Sequence, residues 1–192
     1  MSKPSLHSLT RKHPSTRDVS RAYVASAKVD DRSCVVIMTS ILERQLEKFL
    51  RAKMIRLSAD AESRLFHGNG PLAALSAKIR IVRAFGLIGP RTAHNFEILN
   101  DIRNVFAHSA RILTFRNRKI QNRLTGIHFW DQAGMLADAL PHFDDTSSWE
   151  KKLYSTKRGH FVLVIIGYIY ALEMTGSKSR RIKKTASDWL SQ

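Results

Sequence analysis

An all-α fold, a helical bundle, is what this chain predicts, on three observations. Apolar residues recur at three- and four-residue intervals through several long stretches, Gly-Pro and Pro punctuation separates those stretches, and no set of segments alternates apolar and polar residues as strands would. With 192 residues, 43% of them hydrophobic, the chain is sized for one packed domain. That domain is assigned to residues 18–175, between a flexible basic arm at 1–17 and a basic tail at 176–192.

The elements follow in order. Residues 1–17 are polar, carry Pro4 and Pro14 and lack periodicity, so they read as the arm. Over 31–55, Val35, Met38, Leu42, Leu46 and Phe49 form an apolar stripe with Glu43, Arg44, Glu47 and Lys48 between them, the pattern of a long amphipathic helix. Cys34 precedes the stripe as a small core or interface residue. Ser58 is placed to cap a short helix through Arg64, which the Gly68-Asn69-Gly70-Pro71 turn ends. Pro71 fits the first turn of the next helix, striped by Leu72, Leu75, Ile79, Val82 and Phe85 and closed by Gly86 and Gly89-Pro90. From Thr92, the residues Phe96, Leu99, Ile102, Val105 and Phe106 keep helical spacing to Ser109.

Period is then lost. Over 111–130, Ile112, Leu113, Phe115, Ile120, Leu124, Ile127, Phe129 and Trp130 are scattered among arginines, which predicts a basic loop with a short irregular or hairpin insertion. One more helix fits 131–140, ahead of Pro141, and a turn at 142–148 precedes a final helix from 149 to 174. Its apolar run, 161–174, is shorter than the roughly 18 residues that would mark a bilayer span, so it reads as a core or dimer-interface helix and no membrane partner is expected. Trp149, Tyr154, Tyr168 and Tyr170 lie at helical positions among aliphatic neighbours and are assigned to packing.

Charge narrows the partners. The formal net charge is +16, and 13 of those charges fall in residues 1–30, 111–123 and 176–192. Such a chain attracts polyanions, because binding releases their counterions. The central run, Arg111, Arg116, Arg118, Lys119 and Arg123, contains no acid and is the candidate nucleic-acid-binding set. A single cysteine excludes a disulfide framework, and the N-terminus lacks the apolar stretch of a signal peptide, so a cytoplasmic location is expected. The eight histidines form no His-x-x-x-His pair, so neither metal nor other cofactor is expected. A nucleophile elbow and a standard helix-turn-helix are absent as well.

Arg103, Asn104 and His108 are the candidate catalytic residues. Asn104 and His108 share a helix face; Arg103 and His108 are separated by about 140° and about 7.5 Å along the axis. Two copies of this helix, paired about a twofold axis, would bring both sets into one cleft. There histidine would move a proton at a ribose 2′-hydroxyl or leaving oxygen, arginine would stabilise the phosphoryl charge, and asparagine would orient either one. Val105 and Phe106 would anchor the helix on another side. The plainer alternative is a helix-end hydrogen-bond network of Asn104 and His108, with Arg103 paired to Asp101, Glu97 or solvent. Arg123 and His128 repeat the Arg-to-His spacing, without a carboxamide beside the arginine, in the irregular stretch; about one such pair is expected by chance.

Residues 68–88, GNGPLAALSAKIRIVRAFGLI, and 96–110, FEILNDIRNVFAHSA, resemble the mannitol operon repressor family, the likeness running from about Val35 to Ala139. The second segment also resembles the HEPN superfamily of helical, usually dimeric proteins, in which an Arg, a polar residue and a His form a composite ribonuclease site; Arg103, Asn104 and His108 match it. The first resemblance implies a nucleic-acid-associated transcriptional regulator or co-repressor. The second implies a HEPN-like bundle and a metal-independent endoribonuclease acting as a homodimer. A dimeric scaffold for an acidic protein is the third reading, resting on charge alone.

Overall fold

A computed structural model of the chain describes residues 16–26, 28–127 and 155–177. Within them the architecture is all-helical, with seven helices and no strand: α1 Thr16–Ser26, α2 Asp31–Lys53, α3 Ala59–Phe66, α4 Leu75–Ala84, α5 Pro90–His108, α6 Arg118–Thr125 and α7 Lys157–Ser177. The expected helix at 131–140, the turn at 142–148, Trp149 and Tyr154, and most of the arm and tail lie outside the described residues.

Helix α2 is the axis of the bundle, with α1, α4, α5 and α7 packed around it. Its stripe of Cys34, Val35, Met38, Leu42, Leu46 and Phe49 is buried as the periodicity predicts. Asp30 caps it, accepting from the Ser33 backbone N–H at 3.0 Å. The Ser33 hydroxyl, which also donates to Asp30, and then that backbone bond hold its carboxyl below the ordinary aspartate range. Helix α7 is long and apolar enough to cross a membrane by composition, yet Phe161, Val162, Ile165, Tyr168 and Ile169 are buried in the core. It is a core helix. Tyr168 meets Phe96 edge-on at 4.8 Å and its hydroxyl contacts the Asn95 amide at 2.5 Å, so α5 and α7 share a ring contact and a buried polar one.

A buried ion cluster joins α2, α3 and α4. Lys78, only 2% exposed, lies 2.8 Å from Glu43 and 3.4 Å from Glu47; Arg51 bridges Glu47 and Glu62 and covers the ring of Phe66. A lysine so deep is tolerated because each charge has a partner, and removing one partner from such a pair costs about 3–5 kcal/mol.

Several boundaries differ from expectation. The described part of the 111–130 stretch, up to 127, is neither hairpin nor wholly irregular: a loop at 109–117 leads into α6, which Asn117 caps through the Lys119 N–H. Ile120, Leu124 and Ile127 are buried at helical spacing, and reading them as scattered hid the helix. Pro71 sits in a turn, and α4 starts four residues later at Leu75. Phe85, expected on the apolar stripe, is 68% exposed because the helix ends there. A Schellman closure follows: Leu87 N–H donates to Val82 and Gly86 N–H to Arg83, with Gly86 at φ 65 where a side chain would be strained. Helix α5 starts at Pro90, in the N1 position, rather than Thr92. Helix α1 begins at Thr16, inside the segment assigned to the arm.

Candidate functional site

The C-terminal half of α5 carries the three candidate residues, spread over about 140° of the helix side turned from the core. Its opposite side is fixed by Ile98, Leu99, Ile102 and Phe106, all buried. Phe106 packs on Phe115, which packs on Phe161, each pair 5.4 Å between ring centres, so α5, the 109–117 loop and α7 are locked together below the edge. Arg103 and Asn104 are half-buried neighbours, and Arg103 Nη1 donates to Asn104 Oδ1 at 3.0 Å. His108 is exposed at the last turn, and no hydrogen bond or ion pair orients its ring among the described residues. Val105 is 50% exposed on the same edge, so of the expected anchoring pair only Phe106 anchors.

The bonding matches neither alternative in full. Arg103 engages Asn104 in place of an acid; Asp101 is taken by Arg123, and Glu97 lies 4.0 Å from His94. No bond links Asn104 to His108.

The neighbouring loop owes its position to the start of α2. Arg32 Nη2 donates to the carbonyls of Ser109 at 2.6 Å and Arg111 at 3.0 Å, and the Asp31 carboxylate accepts from the Phe115 N–H at 2.8 Å. The other Asp31 oxygen accepts from Arg158 Nη1 at 3.0 Å. Arg158 Nη2 in turn donates to Ser26 and Val29 carbonyls, so α7 and the α1–α2 corner are tied into the same network. These two anchors escape a sequence reading, because Arg32 and Ser109 lie 77 residues apart.

Between α5, the loop and α6 lies a groove of about 660 Å³. Asn104, Lys119 and Arg123 line it with Val105, Leu113 and Ile120. Arg103 and His108 do not, so the groove gathers only part of the predicted set. Arg111, Arg116, Arg118 and Lys119 are exposed, and no ion pair neutralises them among the described residues; Arg123 alone is spent, on Asp101. Ile112 projects from the loop at 96% exposure.

Chemically, this surface presents exposed positive charge. General acid–base catalysis needs a proton acceptor held in line with the reacting group, and His108 in a single chain lacks a group that holds it. Among the described residues no three His, Cys, Asp or Glu side chains gather as a metal site. Elsewhere, burial pushes the Cys34 thiol up, and burial with the charge of Lys157 holds His160 below the ordinary imidazole value. Both belong to the interior packing.

The class that these observations define is an all-α bundle with an exposed cationic edge. Residues 30–174 match the family described as MtlR, mannitol repressor, and the chain belongs to that family. Among curated proteins none matches the sequence. Of the solved structures, the X-ray structure of the MtlR-HPr complex from Escherichia coli shares the fold, with a TM-score of 0.56 at 15% identity over 82% of this chain and 98% of that one. The resemblance drawn from residues 68–88 and 96–110 thus agrees with the family match.

Proposed function

We propose that the chain is a regulator that works by associating with nucleic acid through the edge formed by α5, the 109–117 loop and α6. The observation that carries this is the row of exposed cations, Arg111, Arg116, Arg118 and Lys119, whose charge no acid offsets among the described residues. Phosphates are the partners such a row favours, with affinity that falls steeply as salt rises. The row is presented by the 109–117 loop and the first turn of the eight-residue α6, and phosphate-backbone contact is its main term.

Fluorescence anisotropy with labelled single-stranded RNA and DNA between 50 and 200 mM salt tests this. For the triple variant Arg116→Gln, Arg118→Gln, Lys119→Gln, the slope of log affinity against log salt falls by about 2, at about 0.7 per lost phosphate contact. An unchanged slope would place nucleic acid elsewhere. The same RNA, incubated in EDTA, stays intact under this reading; cleavage that vanishes in His108→Ala and Arg103→Ala would instead support the endoribonuclease, with the site completed across a homodimer.

A second reading is a protein partner. Its support is the related MtlR, which was crystallised with HPr, and the exposure of Val105 and Ile112 beside the cations. Direct titration with Escherichia coli HPr by calorimetry measures it.

A further inference from the structure

We propose that the groove between α5, the 109–117 loop and α6 receives an acidic segment of a partner protein that inserts an apolar side chain. The assignment rests on the protein-partner reading and names the surface and the chemistry of the ligand.

Two properties of the groove select that ligand. Its walls are aliphatic, from Ile102, Val105, Leu113 and Ile120, and its volume of about 660 Å³ accommodates several side chains. Ile112, beside it at 96% exposure, has its whole branched side chain in water, and Val105 has half. An apolar anchor seated among them removes that surface from water, as the central residues of protein interfaces do. The rim is cationic: Lys119 lines the groove, and Arg111, Arg116 and Arg118 stand exposed on the elements that form it. Among the described residues the lining holds one acid, Asp101, which Arg123 neutralises, so carboxylates of the partner meet positive charge that no described acid offsets.

The competing occupants fit less well. Nucleic acid would satisfy the rim, but among the described residues Phe106 and Phe115, on the elements that form the groove, are buried, so neither offers an unpaired base a face on which to stack. A second copy placed on the groove by a twofold axis would bring Lys119 and the surrounding arginines toward their own images, and like charges repel.

Three labelled 15-residue peptides test the assignment against the full chain at physiological salt: glutamate with leucine at every fourth position, the same with serine for leucine, and lysine with leucine. The Glu/Leu peptide is expected to bind at least about tenfold more tightly than either control, and Ile112→Ser with Val105→Ser to weaken it by about tenfold. Both side chains are exposed, and an unchanged melting temperature certifies the fold of the variant. Equal binding of the Glu/Ser peptide, or Glu/Leu binding indifferent to the double substitution, would overturn the groove assignment. So would RNA binding that depends on Ile112 and Val105. HPr separates the two levels: if it binds while the double variant and the Glu/Leu peptide leave that binding untouched, the partner reading stands and the groove fails. If neither HPr nor any peptide binds, both fail.

Discussion

His160 is where a single residue has a readable energetic consequence. Burial, reinforced by the charge of Lys157, makes its protonated form costly in the fold, so its folded pKa lies below the unfolded value near 6.5. The unfolded chain therefore binds the proton more readily. Its contribution to stability is full above pH 6.5, falls as the pH drops below that value and is lost through the lower folded pKa. Melting temperature measured from pH 7.5 to 5 should fall for the native chain by more than for His160→Gln, the gap opening below pH 6.5. Parallel curves would show that the imidazole does not titrate differently in the fold. At the candidate site the residue scale was half legible. Side-chain types and helical spacing placed Asn104 and His108 on one face, with Arg103 about 140° from His108; in the fold Arg103 bonds Asn104, and Asp101 is engaged by Arg123 from another helix. No local pattern encodes the Arg123 contact.

At the scale of elements, the decisive feature is that the 109–117 loop, besides its own turn bonds, is tied to the start of α2. Arg32 and Asp31 bind three backbone groups of the loop, at 2.6, 3.0 and 2.8 Å. In Arg32→Ala two carbonyls lose a charged donor, an expected cost of about 1.5–3 kcal/mol because part of the site stays wet. Hydrogen–deuterium exchange should rise at 109–117 while α2 and α7 remain protected, and anion binding should weaken with it. Unchanged exchange in the loop would mean that the Phe106, Phe115 and Phe161 contacts hold it alone. The periodic helices α2, α5 and α7 were readable since each buries a continuous stripe against the core. Helix α1 was not, because Val19 is its one buried hydrophobic among the described residues. The signal for α6 was present at Ile120, Leu124 and Ile127, submerged in charge.

For the whole molecule, charge and topology combine. The chain carries a net charge of +16, and the deepest ions of its helical core are internally paired; five of the net charges fall in residues 111–123, on the loop and α6. The same edge adds the apolar pair Val105 and Ile112, which phosphate does not need and a protein partner does. If one edge serves both ligands, they exclude each other, and linkage requires that each weaken the other by the same factor. The direct measurement is a competition: the chain is loaded with labelled single-stranded RNA at low salt and titrated with the Glu/Leu peptide, then the order is reversed. The account predicts that peptide releases RNA and RNA raises the apparent dissociation constant of the peptide, by one common factor. A ternary complex in which both affinities are unaltered would contradict a shared edge.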